Sequence, residues 1–357
     1  MKSIPIVQLG FGAVGRELAR QLLAQREALA ARYGVSLDYL AIADSAGALY
    51  TGQPLSAEAV LAAAEAKAAG WPLSDAGGVA RTGSLATLRL PARAIAVDVS
   101  ASGANEVLLA DAVRFGHRVV LANKKPLAGA LTSFRALTEG GATRYEATVG
   151  AGLPVIGTLQ ALLDSGDQVV RIEAAMSGTL GYLCGELEAG NPLSAAVRAA
   201  HALGYTEPDP RDDLSGADVA RKALILARTC GLPWDLAGIP AEPWFPPELA
   251  AVSRDEFMAR LEELDAPLAA RVAEARDSGG ALRYVAEITP DGASVGLRVL
   301  PAGHPLAGLR GPDNLFSFTT TRYAERPLVV RGPGAGVPVT AAGVLADIVA
   351  TAREMRP

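Results

Sequence analysis

The sequence predicts an α/β protein that starts with a doubly wound parallel sheet and continues into an α+β domain. Three observations support this fold class. A buried strand leads directly into a glycine-rich turn and a helix within residues 4–31. Short apolar runs then alternate with helical patterns as far as residue 150, which is typical of βαβ units. A polar turn between two apolar runs, typical of antiparallel hairpins, occurs in the second half.

The first half contains five apolar runs that we interpret as strands of one sheet. They are Ile4–Leu9, Leu37–Ala43, Ile95–Val99, Arg118–Ala122 and Tyr145–Val149. Stretches with apolar residues on one face are interpreted as helices. These are Ala13–Ala31, Ser56–Ala69 and Asn105–Phe115. We therefore predict one α/β domain over residues 1–150.

The second half has a different character after Gly150. Its predicted helices are Pro154–Ser165, Ser215–Cys230 and Arg254–Ala275, and its predicted strands are Val169–Met176, Leu282–Ile288, Ala293–Leu300, Leu315–Arg322 and Leu328–Val330. The turn at residues 289–292 joins two of these strands into a hairpin. We predict a second domain over residues 151–335. A last helix, Val339–Arg353, is expected to pack back on the first domain as part of residues 336–357.

Composition excludes several classes of function. The chain has 357 residues and a formal net charge of −5, with no apolar run of about 18 residues. We therefore expect no nucleic-acid partner and no membrane span. Cys184 and Cys230 have no metal-ligand spacing and are expected to be reduced core residues of a cytoplasmic protein. Only five of the 33 basic residues are lysines, so each lysine is a candidate for a compact or titratable amine.

The glycine-rich turn has the spacing of a dinucleotide-binding fingerprint, which indicates a sheet of the Rossmann type. Gly10 permits a tight turn, Gly12 lets the backbone approach a pyrophosphate, and Gly15 allows the helix to pack closely on the strand. Amide groups at the helix start then bind the phosphates. A plain glycine-rich turn is the alternative. The candidate cofactor residues are Gly10, Phe11, Gly12, Ala13, Val14 and Gly15.

Three further candidates lie at the predicted carboxyl ends of strands, where ligands bind in parallel sheets. Asp44 is placed either to bond the adenosine ribose or to cap a turn. No arginine follows it closely, which favours NAD over NADP. Ser100 and Lys124 follow two other strands, with a cap or a solvated turn as the alternative for each segment.

An acidic loop leads into a lysine-bearing helix at residues 204–222. Five acids lie within twelve residues, and two prolines stiffen the loop. Asp218 and Lys222 are four residues apart, so they share a helix face. A capping box from Ser215 to Asp218 and a solvated surface pair are the alternatives. Carboxylates held in a stiff loop suit the ammonium group of a substrate.

Taken together, these motifs resemble homoserine dehydrogenase, and the resemblance covers essentially the whole chain. The matching blocks are Glu146–Pro154, Gly204–Lys222, Ala122–Pro126, Ser177–Leu180 and Gly332–Gly336, of which the first two are the most specific. The resemblance implies NAD(P)-linked interconversion of L-homoserine and L-aspartate 4-semialdehyde, in the biosynthesis of threonine, methionine and isoleucine. It also implies a homodimer.

The resemblance assigns roles to individual residues. Lys222 and Lys124 match the family's two functional lysines, and Asp218 matches an acid of the substrate site. The other implied substrate contacts are Glu207, Asp213, Gly178, Thr179, Gly204 and Tyr205. The implied cofactor contacts include Ser100, Lys124 and Gly336.

A monovalent cation, Na⁺ or K⁺, is also implied by the resemblance. Its ligands would be Glu146 and the backbone carbonyls of Val149, Ala151 and Leu153. Alternatively, Glu146 bonds only the amides of its own turn. Gly181 departs from the family, because many relatives carry Asn or Ser there, and a local contact is expected to differ.

The chain ends at Pro357, soon after the last predicted helix. Many bacterial relatives carry a C-terminal regulatory domain. We therefore expect the short form of the family, without feedback through such a domain.

We expect Lys222 to donate a proton when hydride reaches the semialdehyde carbonyl. An ordinary lysine has a pKa of about 10.4 and is an ammonium at neutral pH. The reverse reaction needs the neutral amine, so homoserine oxidation is expected to rise toward alkaline pH. Two alternatives stay open. One is a related dehydrogenase of another amino acid or aldehyde, and the other is a dinucleotide-binding sensor without turnover.

Overall fold

A computed structural model describes residues 2–73, 80–81 and 93–355. The chain divides into two units, each with its own core. The first unit consists of Met1–Gly152 and Gly336–Pro357, and the second of Leu153–Ala335. The described residues of each unit form one sheet.

The sheet of the first unit has seven strands. They are β1 (Lys2–Leu9), β2 (Val35–Asp44), β3 (Gly47–Tyr50), β4 (Ala80–Arg81), β5 (Ile95–Asp98), β6 (Arg118–Leu121) and β7 (Thr143–Arg144). Their order is β4-β3-β2-β1-β5-β6-β7; β3 pairs antiparallel with both β2 and β4, and all other pairs are parallel. The predicted parallel sheet is confirmed, and its carboxyl edge carries the candidate cofactor residues.

Among the residues that the structure describes, six α-helices belong to the first unit. They are α1 (Ala13–Tyr33), α2 (Ala57–Ala68), α3 (Glu106–Arg114), α4 (Lys125–Ala128), α5 (Leu131–Thr138) and α14 (Val337–Glu354). Ser56 caps α2 by accepting the N–H of Ala59 at 3.1 Å, which explains where that helix begins. Helix α14 packs against α1, and its buried Val344 and Ile348 join the core that includes Leu18 of α1.

The strand predicted at Tyr145–Val149 is wrong. The two-residue β7 ends at Arg144, directly before this segment, and a 3₁₀ turn follows over Glu146–Thr148. The hydroxyl and the backbone N–H of Thr148 both donate to the carbonyl of Tyr145, at 2.6 and 3.1 Å. These local bonds replace the ladder that an apolar run would otherwise form.

The second unit contains a five-stranded sheet that is antiparallel throughout. Its strands are β8 (Val169–Ala175), β9 (Gly280–Thr289), β10 (Gly292–Pro301), β11 (Asp313–Thr320) and β12 (Leu328–Pro333), in the order β10-β9-β8-β11-β12. Thr289 pairs with Gly292 across a two-residue loop, so the predicted hairpin is confirmed.

Helices cover the remainder of the second unit. They are α6 (Val155–Asp164), α7 (Gly178–Glu188), α8 (Leu193–Ala202), α9 (Arg211–Leu214), α10 (Ala217–Thr229), α11 (Pro247–Ala250), α12 (Arg254–Ala259) and α13 (Asp265–Asp277). None of the helices in the described part of the chain is long and apolar enough to cross a membrane.

The prediction of one long helix at Arg254–Ala275 is also wrong. The structure has α12, a 3₁₀ turn over Leu261–Leu264, and then α13. Pro267 lies in the first turn of α13, where the missing N–H does no harm. Inside one continuous helix the same proline would remove a hydrogen bond and clash with the preceding turn.

Candidate active site

The turn between β1 and α1 leaves no space for a side chain at two of its glycines. Gly10 has φ of 99°, and a Cβ there would lie 2.7 Å from the backbone nitrogen of Ser100. A Cβ at Gly15 would lie 2.3 Å from the carbonyl oxygen of Gly10. Gly12 is the N-cap of α1, lacks a side-chain cap and faces open space. An uncapped helix start beside an open glycine fits a dinucleotide pyrophosphate.

A buried glutamine, which sequence analysis missed, stabilises this turn. The side-chain amide of Gln8 donates to the carbonyls of Gly10 and Gly15, at 2.9 and 3.0 Å. The Tyr39 hydroxyl donates to Gln8 Oε1 at 2.9 Å. A polar residue inside an apolar strand was the available signal, because such a residue must find partners when buried. The remaining fingerprint residues are Phe11, which is buried, and Ala13 and Val14 in the first turn of α1.

Asp44 ends β2, where it already has two partners. Its Oδ1 accepts the N–H of Ala46 at 2.8 Å, which is the turn-capping role left open by the sequence. Its Oδ2 lies 2.7 Å from Nζ of Lys67 in α2. This ammonium group offsets the charge that would repel a 2′-phosphate. The preference for NAD that was predicted from Asp44 alone therefore no longer follows.

Ser100 belongs to a polar network at the carboxyl ends of β5 and β6. Asp98 is fully buried and accepts the backbone N–H of Ser100 at 2.9 Å and the side-chain amide of Asn123 at 3.0 Å. Asn105 donates to Ser100 Oγ at 3.1 Å. Burial raises the pKa of Asp98, and these donors oppose the rise. The network connects the carboxyl ends of β5 and β6. Lys124, the half-buried N-cap of α4, directly follows Asn123 of this network.

Glu146, the predicted carboxylate ligand of a cation, lies beside a buried acid. Its backbone N–H donates to Oδ2 of Asp347 in α14 at 2.9 Å. Burial raises the pKa of Asp347 to about 7, and the charge of Glu146 adds to the rise. Two acids so placed favour a nearby cation.

The predicted carbonyl ligands follow in the same segment. Ala151 has φ of 56°, and a Cβ at Gly343 of α14 would lie 2.4 Å from the Ala151 carbonyl oxygen. Val149 is also in the first unit, whereas Leu153 begins the second. Within the described residues, no group of three His, Cys, Asp or Glu side chains is placed to bind a metal ion.

Lys222, in α10 of the second unit, is only 9% exposed. Its Nζ donates to the carbonyl oxygen of Met176 at 2.8 Å and lies 3.1 Å from Oδ2 of Asp218, one turn earlier. The solvated-pair alternative is therefore wrong. The capping-box alternative is wrong too, since Gly216 is the N-cap of α10 and has no side-chain cap. The Met176 carbonyl was missed because a backbone acceptor leaves no signal in a sequence.

The predicted acids of the substrate site lie close together in this unit. The N–H of Glu207 donates to Oδ2 of Asp213 at 2.8 Å. Burial raises the pKa of Asp213, and the charges of Glu207 and Asp218 add to the rise against the opposing hydrogen bonds. A cation would relieve this repulsion, so the group suits a substrate ammonium.

Thr179 links two parts of the predicted substrate site. Its hydroxyl donates to the carbonyl of Tyr205 at 2.6 Å and is close enough to Asp213 to oppose the rise in the pKa of that carboxyl. Gly178 begins α7, next to Thr179, and Gly204 has φ of 71° directly before the half-exposed Tyr205.

Arg211 anchors the acidic loop and was missed by sequence analysis. Its guanidinium binds Asp209 and donates to the carbonyls of Ala250 and Val252 at 3.2 and 2.6 Å. It also lies over the ring of Phe257, 5.4 Å from the centroid. The loop is therefore fixed to the segment that contains α11.

Gly181 and Gly336, both singled out in the sequence, have different structural surroundings. A Cβ at Gly181 would lie 3.1 Å from the carbonyl oxygen of Gly311, so a larger residue would press on that segment. Gly336 has φ of 113° at the N-cap of α14, a conformation that favours glycine.

Comparison with known proteins agrees with both halves of this geometry. A family model described as homoserine dehydrogenase matches residues 154–349, and one described as its NAD-binding domain matches residues 10–145. The chain belongs to the homoserine dehydrogenase family. The two family models together confirm the predicted family and the predicted dinucleotide-binding type of the first domain.

Relatives within the homoserine dehydrogenase family differ in length. The chain is 39% identical over 360 residues to the homoserine dehydrogenase of Emericella nidulans, covering 95% of this chain and 96% of that protein. It is 46% identical over 262 residues to the chloroplastic bifunctional aspartokinase/homoserine dehydrogenase 2 of Arabidopsis thaliana. That alignment covers 71% of this chain and 29% of the relative, so the chain spans less than a third of its length.

A solved structure supports the fold of the family. A hyperthermophilic archaeal homoserine dehydrogenase in complex with NADPH superposes with a TM-score of 0.77 at 26% identity, covering 100% of this chain and 99% of that one.

Proposed function

We propose that the protein catalyses the NAD(P)-linked interconversion of L-homoserine and L-aspartate 4-semialdehyde. The observation that carries this proposal is the environment of Lys222. A nearly buried amine with a carbonyl at 2.8 Å and a carboxylate at 3.1 Å is oriented by two acceptors on its own unit. Such an amine is suited to exchange a proton with a substrate oxygen.

In the reducing direction, Lys222 Nζ donates a proton to the carbonyl oxygen of the semialdehyde. A bound NAD(P)H supplies the hydride to the same carbonyl carbon. Both acceptors on Lys222 favour its ammonium form, which is the form a donor needs. In the oxidising direction the neutral amine accepts the hydroxyl proton, so we propose that the rate of homoserine oxidation rises with pH.

The carboxylates of Glu207 and Asp213 are proposed to bind the substrate ammonium. Asp218 is proposed to orient Lys222. Thr179, with Gly178, Gly204 and Tyr205, is proposed to shape the same site. Support comes from the hydrogen bonds of Asp213 and from the charge that burial concentrates there.

The residues proposed to bind the cofactor lie in the first unit. The Gly10–Gly15 turn would hold the pyrophosphate at the start of α1. Asp44 and Lys67 would contact the adenosine ribose and decide between NAD and NADP. Ser100 and Lys124 would contact the cofactor at the ends of β5 and β6, and Gly336 would contact it at the N-cap of α14.

A monovalent cation is proposed at Glu146 and the carbonyls of Val149, Ala151 and Leu153. Hard cations prefer such oxygen ligands. The buried Asp347 beside Glu146 supports a positive charge in this segment. The melting temperature should rise in KCl or NaCl over that in choline chloride at equal ionic strength.

We also propose a cytoplasmic homodimer. Val329 of β12 is 41% exposed on the sheet of the second unit, and association of two such sheets would cover it. The buried thiol of Cys184 and the free Cys230 fit a reducing compartment. Light scattering on a size-exclusion column tests the dimer, and cell fractionation tests the location.

The test of function is a coupled measurement of turnover and binding. Absorbance at about 340 nm is followed with purified protein, L-homoserine, and NAD or NADP at about pH 9. A signal that depends on homoserine supports the proposal. NADH binding without oxidation of homoserine points to a sensor, and oxidation of a different amino alcohol points to a related dehydrogenase.

A further inference from the structure

Asn314, near the start of β11, has a buried side-chain amide without a partner. The residue is 1% exposed, and neither Oδ1 nor Nδ2 forms a hydrogen bond with any residue that the structure describes. Most buried polar side chains are satisfied, and an unsatisfied one destabilises the folded state. The unsatisfied amide of Asn314 does not stabilise the fold, so its presence is better explained by a role in binding.

The position of Asn314 connects it to the proposed proton donor. The ladder between β11 and β8 ends at the pair Leu315–Ala175, and Asn314 and Met176 are each the next residue beyond that pair. The carbonyl of Met176 is the acceptor for Lys222 Nζ. The unsatisfied amide thus lies one strand away from the group that orients Lys222.

On its other side, Asn314 adjoins the glycine segment 332–336. It pairs with Gly332 of β12, and a Cβ at Gly334 would lie 1.8 Å from Asn314 Nδ2. Gly334 is buried, so its backbone covers the amide with a hydrogen atom in place of a side chain. Glycine is needed here for space, because any side chain would displace Asn314. Contact between the amide and a ligand therefore requires that this segment move.

We propose that Asn314 is a further cofactor-binding residue, whose carboxamide pairs with the carboxamide of the nicotinamide ring. The proposal rests on the proposed function, because hydride transfer requires the ring within about 3.5 Å of the substrate carbon that Lys222 serves. A carboxamide offers one acceptor and two donors, so two carboxamides can exchange a pair of hydrogen bonds. The charged groups of the substrate are matched instead by Glu207 and Asp213.

The test compares Asn314→Leu with a matched control, Ser317→Ala. Ser317 is on the same strand, is also 1% exposed, and its Oγ likewise lacks a partner among the described residues. Three quantities are measured for each protein: the melting temperature, the affinity for NADH by calorimetry, and the affinity for the reduced 3-acetylpyridine analogue. That analogue keeps the carbonyl but lacks the amide N–H groups.

We expect Asn314→Leu to melt at or above the wild-type temperature, because it removes an unsatisfied amide. Its affinity for NADH should fall about tenfold, whereas its affinity for the analogue should fall less. The wild-type preference for NADH over the analogue should therefore nearly disappear. Ser317→Ala should keep wild-type affinities for both ligands.

Several results would overturn the assignment. A lower melting temperature with equal loss of both ligands would make Asn314 a structural residue. Unchanged NADH affinity with a raised KM for homoserine would place the amide against the substrate. If the leucine variant does not fold, Asn314→Asp keeps the size and removes the N–H donors, and retained preference for NADH in that variant would also contradict pairing. Wild-type protein that discriminates between the two cofactors but oxidises no homoserine would contradict the proposed function alone.

Discussion

The glycine turn of the first unit and the Lys222 cluster of the second are constructed in opposite ways. The turn uses backbone groups, and its two crowded glycines leave no space for one more carbon atom. The cluster uses side chains, and Lys222 depends on Asp218 and on the carbonyl of Met176. A backbone site is damaged by adding atoms, whereas a side-chain site is damaged by removing them.

The largest effect is expected from removing the amine of Lys222. Lys222→Met keeps the length of the side chain and removes the proton donor, so kcat for homoserine oxidation should fall about 10²- to 10⁴-fold. NADH affinity should stay within about twofold of wild type, because the change is confined to the second unit.

Lys125→Met is the control for Lys222→Met. Lys125 is exposed at the start of α4 and carries no proposed role. Steady-state kinetics should give wild-type kcat. A kcat for Lys222→Met close to that of the control would remove Lys222 from the mechanism.

Two alanine substitutions separate structure from function in the glycine turn. Gly15→Ala places a Cβ against the Gly10 carbonyl, so the free energy of unfolding should fall by about 1–3 kcal/mol in denaturant titrations.

The methyl group of Gly12→Ala would lie in open space, so the free energy of unfolding should change by less than about 1 kcal/mol. NADH affinity should nevertheless fall more than about tenfold, because the methyl group lies where the pyrophosphate approaches. Equal NADH affinities for Gly12→Ala and wild type would contradict the cofactor site.

Loss of Arg211, which anchors the acidic loop, should weaken substrate binding without changing the affinity for the cofactor. Arg211→Met removes the bonds to Asp209 and Val252, so the KM for homoserine should rise about tenfold. NADH affinity should not change. Arg254→Met is the control, because the Arg254 guanidinium donates its hydrogen bonds to the exposed Asp255 and acts on Asp209 through its charge alone. Parallel changes in both variants would show that the anchor has no special role.

The pH dependence of the KM tests Asp213. Its pKa is raised by burial, so it becomes neutral at a higher pH than an ordinary aspartate as the pH falls. Attraction for the substrate ammonium is lost with that charge, and the KM for homoserine should rise several-fold on the acid side. Asp213→Asn should have a raised KM that no longer follows this titration. The same acid-side rise in the Asn variant would assign it to another group.

The smallest effect concerns the choice of cofactor. Lys67→Gln removes the ammonium that lies 2.7 Å from Asp44, so the 2′-phosphate of NADP should meet more repulsion. The ratio of kcat/KM for NADP to that for NAD should fall about three- to tenfold. A ratio that rises instead would mean that Lys67 does not serve the 2′-phosphate.

The sequence predicted most elements because local patterns decide them. The helix predicted at Ser56–Ala69 is Ala57–Ala68 in the structure, since Ser56 both ends the loop and caps the helix. The hairpin around residues 289–292 was equally predictable from its turn residues. The strand at Tyr145–Val149 failed because side-chain-to-backbone bonds of Thr148 outcompete an apolar run.

Parts of the candidate site were predictable from sequence where the residue types themselves, such as lysines and clustered acids, indicate a chemical role. Scarce lysines and a stiff acidic loop indicated the segment that contains Lys222 and Asp213, and the family resemblance implied their roles. Groups defined by tertiary contact were not predictable, because the Met176 carbonyl and the Lys67 ammonium reach their partners from 46 and 23 residues away. Gln8 left a signal as a polar residue in a strand, but its partners became clear only in the fold.

The most direct test of the account is NADH binding and homoserine turnover measured side by side in Lys222→Met. The account predicts wild-type NADH affinity together with a kcat reduced at least about a hundredfold. Turnover near the wild-type rate would contradict the role of Lys222. Loss of NADH binding together with turnover would contradict the assignment of cofactor binding to the first unit and chemistry to the second.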